Sequence, residues 1–581
     1  MVRKTKIICT IGPASDDPKT LRELIKAGMN VARLNFSHGN HEEQLARVKR
    51  IKEAREELNV PLAIMLDTKG PEVRTGVFTG GSAQLAEGSE VRIVEEEIEG
   101  DSERFSITYK HLADDAVQGT RLLIDDGLIL LEVSKVEGRD VICRVKIGGK
   151  VSNHKSINLP DIPLNLPALT LKDKEDLKFA VENELDWIAA SFIRRPEDIL
   201  AMRRVLASYG DRGLKICAKI ESREGVKNFS EILKVTDGVM VARGDLGVDI
   251  PAEEVPITQK SMIKRAYEAG LPIVTATEML DSMIRNPRPT RAEVSDVANA
   301  IFDGTSCIML SGETAIGNYP LESVQMMDRI ARYTEAQMDY WDIFSTGNYK
   351  TLNLTSAISH AACATAKDVA AQGIICVTHS GNTARSLSRF RPKTPVIACT
   401  VTERAKNQLS MSWGVCPVVI PVIYDTDELF ETAMEAAMST GLVKYGDTVV
   451  LTGGTPAGVS GTTNTIKVEI LGGVISRGIA LDLGESNQIS GDVVILNQHN
   501  LPDNIGDFRQ YILVAEQTGN EDLPHIREAR ALVIEDDDPE GHAVTCAHLL
   551  QMPIIYGAKN ASHLLKNGQM VYLNLEDGTI S

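Results

Sequence analysis

Between residues 5 and 315 the chain repeats one arrangement eight times: a short apolar run followed directly by polar or charged residues. Each run is too short and too rich in Val, Ile and Ala to be a surface helix, and helix-length stretches separate the runs. The runs cover residues 5–12, 30–37, 62–70, 187–193, 215–222, 238–247, 272–280 and 307–315. Alternating strands and helices build a parallel sheet, and eight such units predict a (β/α)8 TIM barrel. Its active site is expected at the carboxyl ends of the strands, where these polar residues lie.

An insertion interrupts this pattern between residues 71 and 169. It contains three segments that alternate apolar and polar residues, joined by sequences typical of hairpin turns: segments 121–124, 128–136 and 141–147, with turns at 125–127 and 137–140. The insertion is therefore predicted to be a small β-barrel domain. The connection that leaves the insertion contains three prolines: Pro160, Pro163 and Pro167. They make it semi-rigid, which suits a lid domain that moves as a rigid body.

The chain of 581 residues is too long for one core, so several domains are expected. The barrel is assigned to residues 1–70 and 170–342. Strands and helices alternate again over residues 343–475, which predicts a doubly wound α/β domain. Residues 476–581 mix short strands with helices and are predicted to form a small C-terminal α/β domain.

Charge and cysteine content exclude several classes of protein. The formal net charge of −18 argues against nucleic-acid binding, so a cationic partner is more plausibly a metal ion. The nine cysteines form no C-x-x-C pair, which argues against a disulfide framework or a structural zinc site. Neither a signal peptide nor an apolar run of membrane-spanning length is visible, so no membrane association is expected. A reducing cytoplasm is the predicted location.

Polar side chains converge at the predicted mouth of the barrel. Residues two apart in a strand share a face, so Lys219 is expected to project beside Glu221 at the end of strand five. Gly244 and Asp245 end strand six. The same parity predicts further groups on three strands: Arg33, Asn35 and Ser37 on strand two, Asp67 and Lys69 on strand three, and Thr275 and Thr277 on strand seven.

Two of these carboxylates suit a hard cation. Mg²⁺ favours one or two carboxylates completed by water and substrate oxygens, which Glu221 and Asp245 on neighbouring strands could supply. Lys219 beside them could neutralise charge that develops on a phosphoryl group or an enolate. The alternative is a buried structural ion-pair network, but the convergence of so many polar residues favours a functional site.

Five motifs in order resemble those of pyruvate kinases. They are TKIICTIGP at residues 5–13, NVARLNFSHG at 30–39, LDTKGPEVRTG at 66–76, MVARGDLG at 240–247 and MLDSMIRNPRPTRAEVSDVAN at 279–299. The resemblance covers about 475 residues, through the barrel, the insertion and the α/β domain. The last segment resembles the phosphohistidine-type domain that many bacterial pyruvate kinases carry at their C-terminus.

The resemblance implies transfer of the phosphoryl group of phosphoenolpyruvate to ADP, giving ATP and the enolate of pyruvate, the last step of glycolysis. It implies that Glu221 and Asp245 hold Mg²⁺ or Mn²⁺, near Gly244 in the substrate site. Lys219 and Arg33 are then expected to stabilise the phosphoryl group in flight. Thr277 is expected to orient the enolate and, through water, its proton delivery.

The resemblance also implies a monovalent-cation site and a nucleotide site. Glu72 is typical of family members that require K⁺. Four residues match an all-oxygen cage for this ion: Asn35, Ser37, Asp67 and Thr68. His38, Arg74 and Lys155 match positions near the nucleotide phosphates. For His38 and Lys155 taken alone, an exposed surface role is the favoured alternative.

One residue of the barrel departs from the family pattern. Glu278 stands where the family usually has Gln. The parity of the strand is expected to turn it away from Thr277, so only an indirect effect on the site is predicted.

An effector site is predicted in the α/β domain. The segment 378–383 (THSGNT) ends a strand and opens a helix, where backbone amides and hydroxyls can hold a phosphate: Thr378, Ser380, Gly381, Asn382 and Thr383. With a glycine-rich loop at residues 453–463, it resembles the family's allosteric site for a phosphorylated metabolite. The alternative is two tight turns whose glycines serve geometry only.

The C-terminal domain is predicted to serve packing or regulation. His542 lies in the sequence DPEGH, which lacks the Thr-Ser that precedes the reactive histidine of related domains. Its acidic neighbours would repel a phosphoryl donor.

Two other functions are compatible with parts of this pattern. A metal-dependent enolate lyase or phosphoenolpyruvate mutase would also use a barrel, Mg²⁺ and carboxylates, but it needs neither a lid nor a nucleotide. A catalytically dead sugar-phosphate sensor would not need Lys219, Glu221 and Thr277. A homotetramer is expected, since the family is commonly tetrameric.

Overall fold

A closed barrel of eight parallel strands forms the first part of the chain in the computed structural model. The structure describes residues 3–160, 162, 164–211, 213–347, 353–454, 463–473, 475–481, 487–496 and 511–581. The chain forms two compact units. The first comprises residues 1–356 and 378–421, and the second comprises residues 357–377 and 422–581.

The first unit begins with three barrel strands and two helices. They are β1 (Lys6–Thr10), α1 (Pro18–Ala27), β2 (Met29–Asn35), α2 (His41–Glu57) and β3 (Ala63–Asp67). Helix α1 begins where the Asp17 carboxylate accepts hydrogen bonds from two backbone amides, and it ends at Gly28 with φ 119°. These caps explain why α1 has sharp ends between two buried strands.

A mostly antiparallel β domain follows β3. Its elements are β4 (Val77–Phe78), β5 (Ser82–Leu85), β6 (Glu90–Val94), β7 (Glu99–Gly100), β8 (Arg104–Ser106), α3 (Leu112–Asp115), β9 (Arg121–Ile124), β10 (Ile129–Glu137), β11 (Asp140–Ile147), β12 (Gly149–Ser152) and β13 (Ile157–Asn158). The pairs β4–β7 and β6–β8 are parallel. The hairpin between β9 and β10 turns through Asp125, Asp126 and Gly127, all with positive φ. The predicted hairpins at 125–127 and 137–140 are thus confirmed, around a separate apolar core.

The barrel then resumes. The remaining elements of this part are α4 (Leu171–Glu182), β14 (Trp187–Ala190), α5 (Pro196–Ser208), β15 (Lys215–Ile220), α6 (Arg223–Lys227), α7 (Phe229–Ile232), β16 (Gly238–Ala242), α8 (Arg243–Asp249), α9 (Val255–Glu268), β17 (Ile273–Ala276), α10 (Arg291–Phe302), β18 (Cys307–Leu310), α11 (Gly312–Ala315), α12 (Pro320–Ala336) and α13 (Tyr340–Thr346). Strand β1 pairs with both β2 and β18, which closes the ring. All eight predicted strands are present, so the predicted barrel is confirmed.

The inside of the barrel is filled by side chains of alternate strand residues. Ile8, Val31, Met65, Cys217 and Met240 form one buried cluster there with their counterparts on the other strands. Residues two positions further along the strands share this inward face. The inward face therefore ends in Arg33, Asp67 and Lys219 at the carboxyl ends of β2, β3 and β15.

Both connections of the β domain meet the loop that follows β14. On the incoming side, Gly70 has φ 71°, and a Cβ there would lie 2.9 Å from atoms of Ser191 and Phe192. On the outgoing side, Arg194 donates hydrogen bonds of 3.0 Å to the carbonyls of Leu164 and Leu166. The lid is thus attached at both ends to one short barrel loop.

The rest of the chain alternates strands and helices. The elements are α14 (Leu354–Asp368), β19 (Gly373–Val377), α15 (Asn382–Ser388), β20 (Val396–Thr400), α16 (Glu403–Gln408), β21 (Val415–Val419), α17 (Thr426–Ser439), β22 (Thr448–Gly454) and β23 (Thr463–Ile470). In the first unit β20 and β21 are parallel. In the second unit β19 is parallel to β22, and β22 is antiparallel to β23.

The C-terminal part of the second unit is an eight-stranded mixed sheet with helices. Its elements are β24 (Ser476–Arg477), β25 (Ile479–Leu481), β26 (Gln488–Ile495), β27 (Tyr511–Ala515), α18 (Leu523–Glu528), β28 (Ala531–Ile534), α19 (His542–Leu550), β29 (Ile554–Tyr556), α20 (Ala561–Leu564), β30 (Met570–Asn574) and β31 (Thr579–Ile580). The predicted fold class is confirmed, while the exact boundaries of the four domains stay a prediction. Within the described ranges no helix has the length and apolarity needed to cross a bilayer.

Candidate active site

A continuous line of buried charges crosses the mouth of the barrel. Arg33 Nε lies 2.6 Å from Asp67 Oδ2, and Asp67 Oδ1 lies 3.1 Å from Lys219 Nζ. Lys219 Nζ in turn lies 3.0 Å from Glu221 Oε1. The four residues are all less than 10% exposed. The predicted proximity of Lys219 to Glu221 is confirmed, and Asp67 is the residue that connects Lys219 to Arg33.

The line carries more negative than positive charge once Asp245 is added. Burial opposes the charge of Lys219, but Asp67 and Glu221 outweigh it and raise the pKa of the ammonium. Burial raises the pKa of Glu221 to about 7, although Lys219 opposes this, and the charge of Asp245 adds to the rise. Burial likewise raises the pKa of Asp245. Lys219 therefore stays protonated, yet one ammonium shared between carboxylates does not fully stabilise Glu221 as an anion.

This surplus of carboxylate is what a divalent cation would neutralise. Glu221 Oε2 accepts a hydrogen bond of 2.6 Å from the Phe192 amide, which fixes the carboxylate in place. Among the described residues no group of three or more His, Cys, Asp or Glu side chains could hold a metal. Glu221 and Asp245 offer two carboxylates only, and this donor set fits Mg²⁺, which keeps water and substrate oxygens as its other ligands.

Thr277 reaches the same mouth by a turn and not by strand parity. Strand β17 ends at Ala276, and both Thr277 and Glu278 have positive φ. The Gly244 amide donates a hydrogen bond of 2.9 Å to Thr277 Oγ1. The expectation that Thr275 projects beside Thr277 is wrong: Thr275 is fully buried and donates to Thr305 Oγ1 instead. Glu278 is exposed.

The four residues assigned to K⁺ lie together. Asn35 and Asp67 pair across β2 and β3, and the Ser37 amide donates to Asn35 Oδ1 at 3.0 Å. Thr68 Oγ1 accepts from the Ser191 amide at 3.2 Å. All four supply oxygen, which is the donor type that a hard cation prefers.

The residues assigned to the nucleotide are held by other partners. Arg74 Nη2 lies 2.6 Å from Glu72 Oε2, and Lys155 Nζ lies 2.8 Å from Asp125 Oδ1. His38 is exposed. A cleft lies between the β domain and the barrel and is lined by Glu72 and Ser156 on one side and Glu221 and Asp245 on the other. Arg74 and Lys155 are the chain neighbours of residues on its rim.

Three contacts at the site were not predicted. Ser191 Oγ accepts from Lys219 at 2.8 Å, Thr10 Oγ1 accepts from Arg33 at 2.9 Å, and the Phe192 amide binds Glu221. Ser191 and Phe192 lie at the end of the fourth apolar run, and Thr10 lies near the end of the first. Their position near the ends of the runs is the sequence signal that could have identified them.

The predicted effector segment lies at the start of α15. Thr378 and Thr383 are buried, and the Thr378 amide donates to Cys399 O at 2.9 Å. Gly381, with φ 81°, precedes the helix, and Arg385 donates to Ser380 O at 3.0 Å and to Asn382 Oδ1. Residues 455–462 of the second predicted loop lie outside the described residues.

His542 begins α19 in the C-terminal domain. Its Nδ1 lies 2.9 Å from Thr518 Oγ1, and its Nε2 lies 3.6 Å from Cys546 Sγ. Cys546 is buried in the core of this domain. These contacts involve only neighbours within the domain, which is consistent with a packing role.

Three family models match the chain. The pyruvate kinase barrel domain matches residues 2–324, the pyruvate kinase alpha/beta domain matches residues 356–469, and the mobile domain of PEP-utilising enzymes matches residues 508–578. The third match falls in the C-terminal domain that contains His542.

Similar proteins span the whole chain. A pyruvate kinase of Sporosarcina psychrophila is 45% identical over 582 residues, covering 100% of this chain and 99% of the relative. One of Clostridium acetobutylicum is 50% identical over 473 residues, which is 81% of this chain and 100% of the relative. The crystal structure of a pyruvate kinase from Cryptosporidium parvum has a TM-score of 0.77 and 38% identity, covering 81% of this chain and 96% of that one.

Proposed function

The chain belongs to the pyruvate kinase family, and on that premise we propose that it transfers the phosphoryl group of phosphoenolpyruvate to ADP, giving pyruvate and ATP as the last step of glycolysis. Membership of this family makes the chain a phosphotransferase. The single observation that carries the proposal is the line of buried charges from Arg33 through Asp67 and Lys219 to Glu221.

The two cations of this line are suited to the phosphoryl group in flight. Phosphoryl transfer depends on positioning and on neutralising negative charge more than on covalent help. Asp67 holds Arg33 and Lys219 in fixed positions, so little reorganisation is needed when charge develops between them. In this proposal Arg33 and Lys219 stabilise the transferring group, and Asp67 keeps both in place.

Glu221 and Asp245 are proposed to hold Mg²⁺ or Mn²⁺, with Gly244 beside the substrate. When bound, the ion would supply positive charge for the oxygens of the substrate. The raised pKa values of both carboxyls support this assignment, since burial leaves these anions poorly stabilised by Lys219 alone.

Thr277 is proposed to act on the enolate. Its hydroxyl is held by the Gly244 amide at 2.9 Å, next to the proposed substrate position. The hydroxyl orients the enolate oxygen and, through water, the delivery of the proton to carbon.

Asn35, Ser37, Asp67 and Thr68 are proposed to hold K⁺. The supporting observation is their common position at the ends of β2 and β3, with oxygen as the only donor type in their side chains. Glu72 adds no positive charge to the site that could replace a monovalent cation. The enzyme is therefore proposed to require K⁺.

The nucleotide phosphates are proposed to bind beside Arg74, Lys155 and His38. Lys155 would exchange its ion pair with Asp125 for a phosphate oxygen when ADP enters the cleft. The lid supplies Arg74 and Lys155, so its position governs access to the transferring group.

Regulation and assembly are proposed by family resemblance. The segment 378–383 would bind the phosphate of a metabolite that activates the enzyme, and the chain would assemble as a homotetramer. All nine cysteines are free, which supports a reducing cytoplasm as the location.

The test is an assay of the purified chain with phosphoenolpyruvate, ADP, Mg²⁺ and K⁺, followed by phosphorus NMR. The expected products are ATP and pyruvate, formed only when ADP is present. Conversion without ADP to a compound with a carbon–phosphorus bond would favour a mutase, and the absence of any turnover would favour a sensor. A Glu221→Gln variant should lose the activity.

A further inference from the structure

Two neighbouring residues at the mouth of the barrel have a strained backbone. Thr277 has φ 68° and Glu278 has φ 54°, which is the left-handed region that favours glycine. Threonine is branched at Cβ, so it is among the residues least suited to this conformation. Such a backbone persists only where its surroundings hold it in place.

The Arg243 side chain contacts this turn, in which Thr277 Oγ1 also donates a hydrogen bond of 2.6 Å to Ala276 O. Arg243 Nη2 donates a hydrogen bond of 2.6 Å to Thr277 O, and Arg243 Nε donates one of 3.3 Å to Ala276 O. The guanidinium thus contacts the carbonyl before Thr277 and the carbonyl of Thr277 itself. Its planar set of donors suits two acceptors at once, which a lysine ammonium does not match.

A helix on the outside of the barrel fixes the guanidinium. Arg243 Nη1 lies 2.8 Å from Asp296 Oδ1 and 2.6 Å from Asp296 Oδ2. Asp296 belongs to α10, whose start is fixed by a capping box between Thr290 and Glu293. The side chain of Arg243 is only 12% exposed, so solvent competes little for these contacts.

Arg243 also connects two parts of the proposed site. It directly precedes Gly244, whose amide binds Thr277 Oγ1, and it lies two residues before Asp245. Strands β16 and β17 are in register at Ala242 and Ala276. The same residue therefore sets the position of the Thr277 hydroxyl relative to the Asp245 carboxylate.

We propose that Arg243, held by Asp296, is a positioning residue that fixes the Thr277 hydroxyl against the enolate. This deepens the proposed function and rests on the role given there to Thr277. Arg243 acts through backbone carbonyls and touches no reacting atom. A hydroxyl displaced by about 1 Å lowers the rate of a step on the order of a hundredfold.

The experiment measures the step in which Thr277 is expected to act. Exchange of the methyl hydrogens of pyruvate with D₂O, in the presence of Mg²⁺, K⁺ and ATP, is followed by proton NMR alongside turnover. Arg243→Met should slow exchange on the order of ten- to a hundredfold, with the KM for ADP changed by less than about twofold. Arg243→Lys should recover only part of the loss.

A double-variant comparison separates positioning from general damage. If Arg243 acts through Thr277, Thr277→Ala with Arg243→Met should exchange no more slowly than Thr277→Ala alone. An additive loss would overturn the inference. Normal exchange in Arg243→Met, beside a loss in Thr277→Ala, would overturn it while leaving the proposed function intact. Normal exchange in Thr277→Ala would remove the proposed role and the inference together.

A matched control is available at the other end of the barrel. Arg203 likewise bridges a backbone carbonyl, Val235 O at 3.0 Å, and a carboxylate, Asp237 Oδ2 at 2.7 Å. Arg203→Met should leave exchange unchanged. If Arg243→Met does not fold, as judged by its melting temperature, Asp296→Asn decides the question. That variant keeps the guanidinium and should slow exchange by a smaller factor, and wild-type exchange in it would overturn the inference.

Discussion

Replacing Lys219 with Met tests the line of charges directly. The substitution keeps an unbranched side chain of similar length and removes only the ammonium. Lys219 Nζ lies 3.1 Å from Asp67, 3.0 Å from Glu221 and 2.8 Å from Ser191 Oγ. Without it, the carboxylates at the mouth face Arg33 alone, and the transferring group loses one of its two cations.

Two effects of known sign follow. Removing a fixed charge aimed at a developing charge lowers turnover by about 10²- to 10³-fold. An ion pair at 3.0 Å is worth about 5 kcal/mol at an effective dielectric of 20, which sets an upper limit of about four pKa units for the influence of Lys219 on Glu221. Because Lys219 lowers the pKa of Glu221, which burial raises to about 7, its loss should raise that pKa further.

The consequence for metal binding depends on pH. Glu221 must lose its proton before it can bind a divalent cation, so affinity falls as pH drops below the pKa of Glu221. In Lys219→Met the pH of half-maximal Mn²⁺ binding should therefore move up, by no more than about four pH units. The affinity at high pH should be equal or greater, because a neighbouring positive charge is gone.

The assays are turnover at saturating phosphoenolpyruvate and ADP, and the EPR signal of free Mn²⁺ from about pH 6 to about pH 9. Lys215→Met is the matched control, since Lys215 lies in the same strand and its Nζ pairs with Asp237 Oδ1 at 3.1 Å. It should change neither result. Full turnover in Lys219→Met would remove the proposed role of Lys219, and an unchanged Mn²⁺ profile would show that Lys219 does not control Glu221.

Three further outcomes are expected. Replacing K⁺ with tetramethylammonium should lower turnover at least about tenfold, because the oxygen cage around Asp67 needs a small cation; equal rates would contradict a K⁺ site. Asp125→Asn should release Lys155 and lower the KM for ADP about two- to fivefold, as expected for a partly exposed ion pair; a higher KM would mean that Lys155 does not reach the phosphates. Ser380→Ala combined with Thr383→Ala should abolish activation by phosphorylated metabolites without changing the fully activated rate, and an unaltered activation curve would refute the effector site.

The barrel could be predicted because its strands are buried on both faces. Each therefore appears in the sequence as a continuous apolar run, and the polar residue that ends the run marks the mouth. The hairpin at Asp125 and Asp126 was equally visible, since those residue types tolerate positive φ. Strand parity placed Lys219 beside Glu221 correctly because β15 stays regular as far as Ile220.

Parity failed where the backbone leaves the strand. Thr277 follows the last residue of β17 and turns through a left-handed conformation, so counting by two from Thr275 gave the wrong face. The contacts of Asp67 with both Arg33 and Lys219 were also not predictable, because they join three strands whose relative register only the closed barrel defines. Residues that hold the site from outside, such as Asp296, carry no pattern that distinguishes them from surface carboxylates.

Both connections of the β domain contact the short loop after β14. Gly70 leaves no room for a side chain against Ser191 and Phe192, and Arg194 donates hydrogen bonds to the carbonyls of Leu164 and Leu166 in the outgoing connection. Because both anchors lie on one loop, any movement of the β domain is expected to be transmitted to that loop. Ser191 and Phe192 of this loop also contact the buried charges, since Ser191 Oγ accepts a hydrogen bond from Lys219 and the Phe192 amide donates one to Glu221. A movement of the β domain is therefore expected to change the hydrogen bonds that this loop makes to Lys219 and Glu221.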